Sequence, residues 1–186
     1  MMKYEYQNLP IIENDRVRLR KIESTDTGNI IKWRNSDEVK NSFIFRDELT
    51  EDIHNKWLEN KVYTLNVIQY IIEIKNSEDY TPVGTVYIRD IDYINSSGEF
   101  GIFLGEKDSR GIGIGSLTTK MFLNFAHKEF GLHRIFLRLL SENIIAYKTY
   151  INCNFNFEGV FRDMIKINEK YVDVIFMSSI DNSNKQ

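Results

Sequence analysis

A chain of 186 residues is long enough for one domain with a real core and too short for two comfortable ones. With 42% apolar and 27% charged residues it has an ordinary globular composition, and a net charge of −3 argues against a general nucleic-acid binder, which needs a basic face. The single Cys153 excludes an internal disulfide and a multi-cysteine metal site, no apolar run spans a bilayer, and the first residues lack a signal-peptide core, so a cytoplasmic protein with no membrane partner is expected.

The alternation of charged and apolar residues from Arg16 to Ile22 is that of a half-buried strand. Ser24, Thr25 and Asp26 supply N-cap candidates for a helix through Ile30, Ile31 and Trp33. A second helical stretch covers Asp37 to Phe43, and a third starts near Thr50 with Ile53, Trp57 and Leu58 on one face. The β-branched and aromatic run Val67 to Ile74 predicts a strand. The polar run Lys75 to Thr81, closed by Pro82, predicts a turn. Strands at Val83 to Asp90 and Gly98 to Leu104 follow, and three strands on short turns make an antiparallel meander.

Next comes Arg110-Gly111-Ile112-Gly113-Ile114-Gly115-Ser116, between the apolar strand Phe100 to Leu104 and an amphipathic run from Ile114 to Phe130. Glycines at alternate positions remove the side chains that would hold a ligand away from the backbone. A helix start adds unpaired N–H groups and a positive dipole end. Strand, stripped turn and helix N-terminus together predict a pyrophosphate cradle. The helix places Ile114, Leu117, Met121, Phe122 and Phe125 on one stripe and stops at Gly131. Ile135 to Leu140 is a strand, and Ser141 and Asn143 can cap a short helix through Ala146, Tyr147, Tyr150 and Ile151. Phe155 to Ile167 and Lys170 to Ser179 read as a hairpin turning at Asn168-Glu169. The whole is one α/β domain with a mixed sheet over residues 1–180, followed by a polar tail over 181–186.

Three readings of the glycine loop compete. A P-loop requires Gly-Lys-Ser/Thr, and no such tripeptide follows Gly111, Gly113 or Gly115. A dinucleotide fingerprint requires a later third glycine, and an acid about twenty residues on; Glu142 lies nearer thirty away, and little chain remains for a parallel sheet. The third reading is a resemblance. Arg110-x-x-Gly113-x-Gly115 matches the Arg/Gln-x-x-Gly-x-Gly/Ala signature of the GNAT acyltransferases. Asn143-x-x-Ala146-x-x-x-Tyr150, then Asn154-Phe155, resembles the family's Asn/Tyr helix, with Asn154 replacing the usual glycine and expected to accept the left-handed conformation. Glu99-Phe100-Gly101-Ile102 is a third match. Gly131-Leu132-His133-Arg134-Ile135 and Lys170-Tyr171-Val172-Asp173 are similar to the Rim-type subgroup, and with Trp33-Arg34-Asn35 the likeness runs from about Arg16 to Ile180.

This resemblance implies a mixed, mostly antiparallel twisted sheet of about seven strands flanked by about four helices. It implies acetyl-coenzyme A as co-substrate, no metal, and direct acetyl transfer to a primary amine in a ternary complex. The coenzyme would meet Arg110, Gly111, Ile112, Gly113, Ile114, Gly115 and Ser116 at its pyrophosphate, and Asn143 at its pantetheine. Backbone N–H groups around Ile102, Phe103 and Leu104 would meet the oxyanion. A primary amine has a pKa near ~10.4, so a base helps free its lone pair; Glu99 is the candidate, against the competing reading of a solvated strand-end acid. Tyr150 is the candidate acid for the departing thiolate, since a phenol stays neutral at neutral pH; the competing reading is a packing aromatic. Arg110 reads either as a phosphate ligand or as an ordinary loop arginine.

Cys153 has no recognisable histidine partner for covalent catalysis, and His54, His127 and His133 form no metal spacing. His127 reads as lying on the exposed face of its helix. Trp33, Arg34 and Glu99 are the candidate acceptor contacts. Between Asp37 and Glu59 stand seven acids (Asp37, Glu38, Asp47, Glu48, Glu51, Asp52, Glu59) against three bases (Lys40, Arg46, Lys56). They form either an acidic wall that concentrates cations or a plain solvated face. Polyamines, amino sugars and protein N-termini all stay open as acceptors. A catalytically inactive relative that only binds coenzyme A stays open too, and the free edge strands of the C-terminal hairpin allow a homodimer.

Overall fold

The computed structural model describes residues 4–77 and 79–182. Its centre is one eight-stranded sheet of order β1-β2-β3-β4-β5-β6-β8-β7. The strands are β1 (Ile12–Glu13), β2 (Val17–Lys21), β3 (Ile68–Asn76), β4 (Asp79–Asp92), β5 (Ser97–Leu104), β6 (Arg134–Leu140), β7 (Asn156–Ile167) and β8 (Lys170–Ile180). Every neighbouring pair is antiparallel except β5 and β6. The helices are α1 (Thr27–Asn35), α2 (Asp37–Lys40), α3 (Glu51–Trp57), α4 (Ile114–Phe130) and α5 (Ile144–Ile151). None among the described residues is long and apolar enough to cross a membrane.

The two faces of the sheet follow from strand alternation. Tyr70 on β3 meets Phe122 of α4 edge-on at 5.7 Å, so its face carries the α4 layer. The neighbouring Gln69 points the other way and accepts from Trp57 Nε1 at 3.0 Å, which seats α3 on the opposite face. Phe122, Tyr70, Ile72, Val86 and Ile88 are fully buried between α4 and the sheet. On the other face Arg20 grips Asp26 through two hydrogen bonds of 2.8 and 2.7 Å and reaches Glu73 at 2.9 Å. This pins the entry of α1 to β2 and β3.

Several predicted boundaries move. The helix expected to reach Phe43 stops at Lys40. Asn41 and Ser42 are weak helix formers, and Phe43 is drawn instead onto Phe103, with ring centroids 5.6 Å apart. The turn expected over Lys75 to Thr81 shrinks, because β3 runs to Asn76 and β4 starts at Asp79; an exposed hairpin end needs backbone pairing and no apolar side chains. The short β1 adds an eighth strand at the edge. His127 is half-buried rather than exposed, its ring nitrogens lying 2.6 Å from the Leu132 carbonyl and 3.3 Å from Ser179 Oγ. The hairpin turns at Asn168 and Glu169 as expected, both with positive φ, the twist a two-residue connection requires. The tail is described only to Asn182, and residues 183–186 lie outside the described residues.

Candidate active site

The cleft originates in a parting of two strands. β5 and β6 pair only at Ser97↔Arg134, Gly98↔Ile135 and Glu99↔Phe136, yet β5 continues to Leu104 and β6 to Leu140. Beyond Glu99, the β5 backbone groups that face away from β4 have no strand partner. A cleft of about 500 Å³ opens at this parting. Buried backbone groups left over from a ladder are a demand for a ligand's hydrogen bonds.

The glycine loop forms one arm. Gly111 and Gly113 adopt φ of +75° and +87°, which other residues reach only with strain. Gly113 is the N-cap of α4, and no side chain caps that end. The first amides of a 17-residue helix therefore face the cleft bare, a cradle that fits a diphosphate. Gly111, Gly113, Gly115 and Ser116 line it; Ile112 is exposed beside them, and Ile114 turns into the core. Arg110 lines the cleft too, but its Nε and Nη2 donate to the carbonyls of Leu104 and Gly105 at 3.0 and 3.1 Å, holding the loop against the end of β5. Arg16, which the sequence did not single out, donates to the Ile112 carbonyl at 2.8 Å from the opposite edge.

The second arm carries α5. Asn143 Oδ1 accepts from the Ala146 amide at 3.1 Å, so it caps the helix that brings Tyr150 to the cleft. Asn154 ends that helix region with φ of 66°, the left-handed conformation expected of it. The Tyr150 ring stands edge-on to Phe100 and Phe155, at 6.1 and 5.6 Å. Its hydroxyl has no hydrogen-bond partner among the described residues. Burial, and then the nearness of Tyr87 and Cys153, pushes the phenol well above its usual value. It is held protonated, as a proton donor must be.

Glu99 lies at the root of the parting, buried, and shared by two arginines. Its Oε1 accepts from Arg138 Nε at 2.9 Å; its Oε2 accepts from Arg138 Nη2 at 2.8 Å and from Arg89 Nε and Nη2 at 3.2 and 3.1 Å. Three of the four fall on Oε2 and one on Oε1, so Oε1 keeps one acceptor position. Oε1 is therefore the oxygen with room for a further proton.

Trp33 and Arg34 do not line the cleft. Trp33 is 1% exposed, packs against Gly105, and donates from Nε1 to Glu106 at 2.7 Å. Arg34 stacks on the Phe43 ring at 4.0 Å and donates to the Phe45 carbonyl, so it stands behind the wall that those phenylalanines form. Both expected acceptor contacts thus support the wall from outside. Of the seven acids from Asp37 to Glu59, only Glu38 lines the cleft; all seven are exposed. The other six therefore stand away from the cleft. Tyr87, Arg89 and Arg138 are the lining residues that sequence reasoning missed. Their signal was present as polar residues at alternate positions of apolar strands, on the face that Glu99 shares. No group of three or more His, Cys, Asp or Glu side chains suited to a metal occurs among the described residues.

Comparison with known proteins places this geometry. Residues 16–156 match the family model described as an acetyltransferase (GNAT) domain. The spermidine N(1)-acetyltransferase of Vibrio cholerae is 27% identical over 167 residues, covering 87% of this chain and 91% of that protein. An uncharacterised N-acetyltransferase, p20, of Bacillus licheniformis is 25% identical, covering 88% and 92%. Among solved structures, the spermidine N-acetyltransferase of Vibrio cholerae in complex with CoA and spermine superposes with a TM-score of 0.82 at 23% identity, covering 90% of this chain and 96% of that one.

Proposed function

The chain belongs to the GNAT acetyltransferase family, and from that premise we propose a reaction for its cleft: transfer of an acetyl group from acetyl-coenzyme A to a primary amine, directly and within a ternary complex. The protein is an N-acetyltransferase, and the observation that carries the mechanism is the parting of β5 and β6 between the bare amides of α4 and the Tyr150 hydroxyl. Acetyl-coenzyme A supplies an activated thioester. Gly111, Gly113, Gly115 and Ser116 would hold its diphosphate, with Ile112 and Ile114 shaping the turn and Arg110 and Arg16 fixing the loop. Asn143 would hold α5 in place for the pantetheine.

In this reading the unpaired β5 groups between Ile102 and Leu104 stabilise the charge that develops on the acetyl oxygen. The C–N bond forms as the C–S bond breaks. Glu99 takes the amine proton at Oε1, and Tyr150 returns a proton to the departing sulfur. Orientation of amine and thioester supplies much of the rate.

The acceptor is proposed as a small-molecule amine or a protein N-terminus. The spermidine enzymes of Vibrio cholerae support a polyamine, and the Rim-type segments after Gly131 and Lys170 support an N-terminus. One of those enzymes is dodecameric. A second copy of this chain is proposed on the C-terminal hairpin, where Phe157, Val160, Phe161 and Met164 are exposed. Acetyl-coenzyme A incubated with a panel of amines, free thiol being the readout, tests the reaction. Thiol release that depends on the amine is expected; none with any amine would refute it.

A further inference from the structure

Resting on the acetyl-transfer reading, we propose that the acceptor amine also carries an anionic group, a phosphate or a carboxylate, received by the Arg89–Arg138 pair beside Glu99. The charged side chains at the acceptor side of the cleft are Glu38, Arg89, Glu99 and Arg138. Glu38 is exposed on α2 and bathed in water. Glu99 is buried, and two guanidiniums share it, so the triad carries a net positive charge. The side chains of Arg89 and Arg138 are only 23% and 21% exposed. Each uses Nε and Nη2 on Glu99. The Nη1 of each has no hydrogen-bond partner among the described residues.

Nothing nearby cancels that charge from within. Asp90 approaches Arg89 at 3.7 Å but is 72% exposed, where water screens it. Arg34 adds a third cation behind Phe43, and its Nη1 is buried without a hydrogen-bond partner. Burial lowers its pKa, Tyr87 and the exposed Asp47 support its charge, and Arg89 opposes it. Two guanidiniums thus share one buried carboxylate, and a third cation stands behind Phe43. Planar guanidiniums with open N–H groups suit the paired oxygens of a phosphate or carboxylate. The same field repels a polycation, which would bring further ammonium groups beside the one that reacts. Phe43, Ile44 and Phe45 complete the wall with apolar surface, which offers ammonium groups no carboxylate partners.

Matched acceptors test this without any variant. With saturating acetyl-coenzyme A, 2-aminoethyl phosphate is compared with ethanolamine, glucosamine 6-phosphate with glucosamine, and β-alanine with its amide, alongside spermidine. In kcat/KM the anionic member should exceed its neutral twin by about tenfold or more, as charge-assisted hydrogen bonds of this kind allow. The phosphate and carboxylate pairs tell the two sources apart. Arg138→Gln should bring the ratio towards one, and Arg138→Lys should retain part of it. Glu99→Gln should widen the ratio whatever it does to the rate. Equal twins, or spermidine preferred over every anionic amine, would overturn the proposal. If no amine turns over, calorimetric titration of the same compounds into the protein–coenzyme A complex decides. Tighter binding of the anionic twins sustains the proposal, and any other ranking overturns it. Absence of heat with coenzyme A itself is a separate result that overturns the acetyl-transfer reading as well.

Discussion

The ring of Tyr87 occupies the space that a side chain on Gly101 would need. The two residues are register partners on β4 and β5, and both line the cleft beside the unpaired edge. A methyl group at Gly101 must therefore push the phenol towards the acceptor. Overpacking of this sort costs roughly 1–3 kcal/mol, and misplacing a site wall costs rate as well as stability. Gly101→Ala is expected to lower the melting temperature and to reduce kcat/KM by about ten- to a hundredfold. Trimming the obstacle in Gly101→Ala/Tyr87→Ala should recover part of the stability; a thermal melt of both variants reads the difference.

Tyr150→Phe keeps the ring contacts with Phe100 and Phe155 and deletes only the hydroxyl. Stability should change little. In the proposed mechanism kcat falls by about a hundredfold or more, the usual worth of a positioned acid, while KM for acetyl-coenzyme A stays put. Steady-state kinetics with a good acceptor measures both. An undiminished kcat removes Tyr150 from the proton path.

At Gly113 the φ of +87° leaves a side chain in a strained conformation. Gly113→Ala should cost about 1–2 kcal/mol of backbone strain, spent where the α4 amides must point at the diphosphate. Coenzyme A binding by calorimetry is expected to weaken by about an order of magnitude, with kcat at saturation much less affected. Unchanged affinity would mean that the loop holds no phosphate.

Two groups give the fold separate acid sensitivities. His54 is buried, its Nδ1 3.0 Å from Thr27 Oγ1 and its Nε2 without a partner, and burial lowers its pKa below the ordinary value of 6.5. Because the folded chain holds it neutral while the unfolded chain protonates it, stability is full above about 6.5 and declines as pH falls below. Glu158, bound by Arg134 at 2.5 Å and by Ser178, is depressed from 4.5 to about 2, so its contribution is present above 4.5 and lost between 4.5 and 2. With a third of that side chain exposed, solvent screening keeps its worth below about 1 kcal/mol. Melting temperatures from pH 8 to 2.5 should show the first decline flattened in His54→Gln and the second in Glu158→Gln.

Much of this architecture is legible in the chain, for local reasons. The meander, the helix after the glycines and the hairpin at Asn168-Glu169 are set by alternation, periodicity and turn chemistry within short windows. The left-handed positions at Gly113, Gly131 and Asn154 are equally local. What composition hides is pairing at a distance. Nothing local ties Arg89 or Arg138 to Glu99; register brings both to it, from 10 and 39 residues away. Trp33 is an expected ligand contact only through the family resemblance, yet its helix turns the indole inward onto Gly105. The helix after Ser36 ends early because Asn41 and Ser42 hold it weakly and Phe43 finds a ring on β5, a contact between distant residues that no local pattern encodes.

Three register pairs join β5 to β6, and they are the sheet's only seam between the block β1–β5 and the block β6–β8–β7. The proposed diphosphate cradle belongs to the first block and the helix bearing Tyr150 hangs from the second. A molecule spanning both acts as mortar across that joint. Ligand occupancy should then knit the halves into a single melting unit, raising the midpoint by mass action and slowing amide exchange along the seam before anywhere else.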